Sequence, residues 1–282
     1  MINWLLDPFS SSFAQRAAIE CLLVALLAPN IGVWIIHRQL SYIEDAMSHS
    51  TLLGVVVGFS ILGREYVLVG ALAIGLFMTV LISMFGTNRN LPKDGVIAVI
   101  GSGLFAGGII GVNKTDTNIS LNHFLFGQVL TVTSTDVIIT LVLVLIVLSY
   151  IFSQFRDLVF STFDPMHALQ VGIHTRRQEG VLLVLIAMSV VVCISSVGIV
   201  LTVSLLISPA LTARLFSATA VQQSLIGTVL AIAQVFGGFL ISFHLNLPPG
   251  PTITVVGLTS FLLSFSIASI AKDEVKVQRH RA

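Results

Sequence analysis

Charge is what this sequence has least of. Of its 282 residues only 10% are Asp, Glu, Lys or Arg, against about 25% in an ordinary soluble domain. A water-soluble globule cannot cover its surface with so few charges, and a disordered acidic chain is excluded as well. An excess of one sign is also missing. Fourteen basic and 13 acidic residues leave a net charge of +1, which offers no basic surface for nucleic acid and no steering field. Cysteine is nearly absent. Cys21 and Cys193 both stand in apolar runs, too few for a four-thiolate zinc site or a disulfide framework, and are expected to be small buried side chains. The stretch from Met1 to Arg16 carries Asp7 and lacks the basic start of a signal peptide, so it is expected to be retained.

Motifs for catalysis and energy supply are missing too. A phosphate loop needs G-x-x-x-x-G-K-[ST] to wrap backbone amides around phosphates. The nearest approach is Lys114-Thr115, but Asn113 stands where glycine is required. No H-E-x-x-H or G-x-S-x-G occurs, which removes the common zinc-hydrolase and nucleophile-elbow signatures.

What the chain has in abundance is apolar sequence, 55% of its residues. A hydrocarbon core about 30 Å thick needs about 20 apolar residues per helix. Such runs fall near 17–36, 41–62, 66–85, 95–112, 136–154, 181–195, 197–213, 221–243 and 251–271. They do not alternate like barrel strands, so an all-α, polytopic transmembrane bundle of eight to nine spans is expected. It forms one transmembrane domain over 1–282, with no room for a soluble domain between spans. The longest connections are expected at 113–135 and 155–180.

Residues 181–213 carry no charge and are too long for one crossing, while Ser195-Ser196-Val197-Gly198 offers a break. Charge placement separates the two counts. With nine spans, 11 Lys and Arg lie on the side of the C-terminal tail and three, Arg16, Arg64 and Lys114, lie opposite. With eight, the split is 8 to 6. The positive-inside rule therefore favours nine crossings, with the N-terminus outside and the C-terminus cytoplasmic. Gly103, Gly107 and Gly111, spaced by four, predict a helix face packed closely on a neighbour.

Ionisable groups within spans cost about 2.5–3.5 kcal/mol each at a helix centre on insertion scales, so the exceptions are informative. They are Glu20, then Glu44, Asp45 and His49 together, and His244 near a span end. Glu20 is expected at interface level, solvated, and His244 as a helix-end residue. Asp45 and His49 are four apart, on one helix face one turn from each other. Two readings stay open: a helix cap with an interfacial histidine, or a chelating pair for a divalent first-row metal. One helix supplies two ligands where such a metal takes four to six, and a symmetric dimer would double the set. Met47 faces away from the pair and is expected to pack. Asp136 sits at a span edge, leaving Asp45 without the second intramembrane aspartate an aspartyl protease needs.

Arg38-Gln39-Leu40-Ser41-Tyr42-Ile43-Glu44-Asp45-Ala46-Met47-Ser48-His49-Ser50, running on to Leu53-Gly54, resembles the signature of the manganese/zinc/iron ABC importer permeases. That signature is a basic residue, a short polar turn, Gly-Asp-small-x-x-His, then apolar-x-Gly. Further blocks follow in order: His123–Leu130 like the family's Leu-Phe-Gly segment, Phe163-Asp164-Pro165 through Ala168 to Gly172, Val197–Ala213 with Pro209-Ala210, and Pro249-Gly250-Pro251. Glu44 departs from the pattern, where glycine is usual. It is either a carboxylate in a second layer behind Asp45 or a group turned about 100° away. The resemblance implies a permease working as a homodimer in the plasma membrane of a prokaryote. A cytoplasmic ATPase dimer and an extracytoplasmic metal-binding protein would be its partners. Asp45 and His49 would be the metal pair, and Pro209, Arg214, Leu215 and Phe216 the ATPase-coupling segment, with 155–180 adding to that surface. No permanently bound cofactor is implied, since the divalent metal is cargo. Manganese is favoured, because no thiolate lies near the pair, with zinc or iron as alternatives. A gradient-driven secondary transporter or channel is the main competing function, and a membrane-embedded metalloenzyme a third.

Overall fold

The computed structural model describes residues 12–63, 66–86, 91–114 and 132–279. Among them every regular element is a helix. In chain order these are α1 (Ser12–His37), α2 (Ile43–Leu62), α3 (Val67–Phe85), α4 (Lys93–Lys114), α5 (Ser134–Ser153), α6 (Phe155–Phe163), α7 (Pro165–Gln170), α8 (Thr175–Val197), α9 (Ile199–Arg214), α10 (Ala220–Leu245) and α11 (Pro249–Arg279). Seven of them are long and apolar enough to cross a membrane. α2, 20 residues long, is outside that seven and opens with Glu44 and Asp45. α9 is apolar but has only 16 residues, about 24 Å of helix.

The expected break in 181–213 falls at Gly198, whose φ of +86° lies in the region that L-residues avoid. α8 ends at Val197 and α9 starts at Ile199. α8 begins at Thr175, six residues before the expected start. Arg176, Arg177 and Glu179 truncate the apolar run but not the helix, because charged side chains at a helix end reach water. The stretch 155–180, expected as a connection, is largely helical too. Asp164 accepts from the His167 amide at 3.0 Å and Pro165 takes the first position of α7.

α1 and α8 form the centre: 83% and 72% of their apolar windows are buried, against 17–33% in the other spans. α2 packs on α3 and α4, and α9 packs on α1, α10 and α11. α8 lies against α3, α2, α1 and α5. In α1, Pro29 leaves the helix unbroken. The adjacent Asn30 donates to the Leu26 carbonyl at 2.7 Å and to Thr228 on α10 at 3.1 Å, and accepts from Ser224. Such polar contacts hold helices together where lipid offers no hydrophobic drive.

Glu20 is not solvated at the interface. It is fully buried in α1 and accepts from the Thr140 hydroxyl of α5 at 2.6 Å. Cys21 and Cys193 are buried free thiols, as expected. Asp136 closes a capping box with Thr133 at the start of α5. Thr133→Ala should cost about 1 kcal/mol through loss of that cap, read as a lowered thermal unfolding midpoint in detergent.

The glycine triplet of α4 is used only in part. Gly103 has open space where a side chain would go, and Gly107 has only ordinary contact with Leu53. A side chain at Gly111 would come within 2.7 Å of Val56. The tight approach to α2 is made by Gly101 against Ala46 and Gly108 against the Leu53 amide, each at 2.8 Å from an added Cβ. Gly101, Gly108 and Gly111 touch because spacings of seven and three both return to one helix face.

Candidate metal site at the start of α2

α1 ends in a tight turn. The Leu40 amide bonds the Ile35 carbonyl at 2.9 Å, Gln39 takes φ +56°, and the Ile43 amide bonds the Leu40 carbonyl at 2.9 Å. Arg38 fixes this turn against α6 by donating from Nη2 to Ser161 at 2.9 Å and from Nε to Thr162 at 3.1 Å. Burial draws the Arg38 pKa below its ordinary value, and Glu179 and Tyr150 work against that shift. The guanidinium stays charged.

Asp45 and His49 follow within two turns of α2. His49 Nε2 lies 3.6 Å from Asp45 Oδ1, as their spacing predicts. The two side chains are 43% and 40% exposed, so they face away from the packed core of this chain. Phe105 of α4 stacks obliquely on the imidazole, with centroids 5.1 Å apart, and limits its rotation. Met47 is fully buried, as its spacing required. Glu44 takes the inward face of the helix. It is 1% exposed, and its Oε2 has no hydrogen-bond partner. Among the described residues no three His, Cys, Asp or Glu gather in a group able to hold a metal. One chain therefore offers a bidentate half-site: a carboxylate oxygen and an imidazole nitrogen, the donor set of borderline first-row ions.

The expected coupling residues sit at the turn from α9 to α10. Pro209 is buried within α9, Arg214 and Phe216 are exposed, and Leu215 is half-buried. The sequence alone does not reveal what ties this turn to the end of α1. Gln223 of α10 donates from Nε2 to the Ala210 carbonyl at 3.0 Å, and its Oε1 lies 2.7 Å from Nε2 of His37 at the end of α1. The available signal was a Gln pair at the start of a span, polar where an apolar run was beginning. His244 lies in the last turn of α10, as expected. The His123–Leu130 block, Asp116, Arg64, Arg89 and Arg281 lie outside the described residues.

The bonds between helix termini define one end of the bundle. Lys93 pairs with Glu179 at 2.7 Å, Tyr150 donates to Gln178 at 2.5 Å, and Arg38 and His37 reach α6 and α10. Arg38, Lys93, Arg156, Arg176, Arg177 and Arg214 therefore share this end.

Known proteins resemble this chain in sequence and shape. A family model described as the ABC 3 transport family matches residues 10–268. The manganese import system permease protein ScaB of Streptococcus parasanguinis is 34% identical over 257 residues, covering 91% of this chain and 91% of that protein. The chelated iron transport system membrane protein YfeD of Yersinia pestis is 29% identical over 258 residues, covering 92% and 86%. A chain in the structure of PsaBC from Streptococcus pneumoniae in complex with Fab superposes with a TM-score of 0.82 at 30% identity, covering 94% of this chain and 95% of that one. A metal-chelate type ABC transporter in an inward-facing conformation, 15% identical, shares the fold with a TM-score of 0.73 over 94% of this chain and 95% of that one. The family match begins just before α1 and ends within α11, and it takes in the Arg38–Gly54 and Val197–Ala213 blocks alike. This chain therefore belongs to the ABC 3 transport family of metal-ion transporters, as a multi-pass membrane permease subunit whose ATP hydrolysis is carried out by a separate subunit.

Proposed function

We propose that two copies of this permease form the pathway of a divalent-metal importer, with Asp45 and His49 of each copy holding the ion between them. The geometry of the half-site carries this reading. Two metal donors one turn apart point out of the chain, and a second copy would raise two ligands to four. Manganese is the favoured ion, by the absence of a nearby thiolate and by likeness to a manganese import permease. Iron is supported by likeness to a chelated iron system, and zinc by the donor chemistry. Glu44, behind the pair on the buried side, is the candidate outer carboxylate.

Among the described residues, the nine helices of 16 residues or more, α1–α5 and α8–α11, are proposed to cross or partly cross the membrane in alternating directions. The gathering of six basic residues at one end supports placing that end in the cytoplasm, with the N-terminus outside and the α11 terminus inside. The ATPase dimer docks there, against Arg214, Leu215 and Phe216, which follow the buried Pro209, with α6 and α7 beside them. An extracytoplasmic binding protein delivers metal at the opposite end. ATP binding draws the ATPase subunits together. The α9–α10 turn moves with them, and the paired half-sites separate and release the ion inward. Binding of moderate strength suits this cycle, since an importer must release what it holds.

ATP-dependent uptake separates this reading from a gradient-driven carrier or channel. In proteoliposomes holding the permease with its ATPase, Mn²⁺ accumulation should require ATP and binding protein. Equal uptake without the ATPase, driven by an imposed ion gradient, would overturn the importer reading.

A further inference from the structure

A second polar site lies apart from the metal half-site, where α5 ends and α8 begins. It is a cavity of about 490 Å³, the size of a small-ligand pocket. Arg156, Arg177, His174, Tyr150 and Gln178 line it, with Asp157 as its one carboxylate. Arg156 Nε lies 3.9 Å from Asp157 Oδ1, a loose and mostly solvated pair. Among the described residues Arg177 has no ion pair, so two guanidinium groups share the wall with one carboxylate. Tyr150 and Gln178 are held in place by their mutual bond and by the bond from Gln178 to Gln154 at 3.2 Å.

The surface leading to the cavity is apolar apart from Ser149. Ile138, Leu141, Val142, Leu145 and Ile146 on α5 are 42–61% exposed and recur at helical spacing. The stripe ends on Phe152, 70% exposed, and the next residue, Ser153, lines the cavity. Beyond the mouth, Phe163, Met166 and Leu169 on α6 and α7 are also exposed. Short helices with apolar residues outward beside arginines suit the boundary between acyl chains and headgroups. A stripe for chains running into a cationic pocket is a phospholipid-shaped site.

We propose that this cavity binds the phosphate-bearing headgroup of an anionic phospholipid of the cytoplasmic leaflet, with an acyl chain lying along the α5 stripe. Guanidinium groups match phosphate oxygens in geometry and charge, and basic pockets between membrane helices take such headgroups. The site rests on this end of the bundle lying at the headgroup level and is independent of which ion the permease moves.

The test uses the permease in complex with its ATPase, in detergent. Lipid retention is read by native mass spectrometry, and protection by the shift in unfolding temperature. Phosphatidylglycerol is expected to be retained and to raise the unfolding temperature, with phosphatidylcholine and inorganic phosphate doing neither. Arg156→Gln with Arg177→Gln should lower phosphatidylglycerol retention at least tenfold, and Asp157→Asn should raise it. Because Asp157→Asn predicts a gain, a poorly folded double variant leaves the proposal testable. Equal retention by wild type and all variants, equal protection by inorganic phosphate, or loss of the ATPase from the double variant with lipid retention unchanged would each overturn it.

Discussion

A permease carrying Asp45→Ala and His49→Ala should lose metal transport while remaining folded. In the proposed dimer each substitution alone removes one of two candidate donors from each copy, so four protein ligands fall to two. Altering even the outer partners of metal ligands costs about 10–100-fold in affinity or activity, so the single variants should lose at least about that much. The double variant should fall to background. Both side chains are about two-fifths exposed in the chain, so truncating them opens no core cavity and the protein should elute as wild type. The measurement is metal uptake and metal-stimulated ATP hydrolysis in proteoliposomes, with basal hydrolysis as the control. Uptake surviving the double substitution would remove Asp45 and His49 from the pathway.

The second large effect is on stability. Replacing Gly54 by Leu should unfold the packing that presents the pair. A side chain at Gly54 would meet the Gly70 carbonyl and lie 2.6 Å from the Ala71 Cα. A side chain at Gly70 would meet the Gly54 carbonyl and come within 2.7 Å of the Gly58 Cα. At this crossing α2 and α3 touch backbone to backbone, and no flexible side chain is available to move aside. Overpacking a tight core costs about 1–3 kcal/mol and occasionally more, and a rigid crossing belongs at the upper end of that range. Gly54→Leu should lower the thermal midpoint sharply and scatter the gel-filtration profile, while Gly103→Ala should leave both unchanged. Equal effects of the two substitutions would show that the crossing is not where the chain is tight.

The contrast between Gly103 and Gly54 shows where reading a sequence stops. Three glycines spaced by four mark a smooth helix face, but smoothness does not say what lies against it. The partner comes from another part of the chain, and here it met Gly101, Gly108 and Gly111. Glu20 makes the same point. Its place near the start of a span suggests water, but whether a span end is wet depends on the helices around it, and α5 covers it with Thr140. Apolar length marks 155–180 only as a connection between spans, and short helices outside the hydrocarbon do not need apolar length. Gln223 was invisible as a bridge because its two partners, Ala210 and His37, are 13 and 186 residues away.

The sequence by itself determined the helical membrane character, the break at Gly198, the shared face of Asp45 and His49, and the inward position of Met47. These are local properties: apolar length, backbone freedom and helical period act within a few residues of chain. The tertiary structure decided that Glu44 is buried while its neighbour is open, which glycines touch, how the α9–α10 turn is tied to the end of α1, and where arginines and an exposed apolar stripe meet around one cavity. Each of those depends on which distant helix supplies the facing surface, and that is settled by packing the whole bundle.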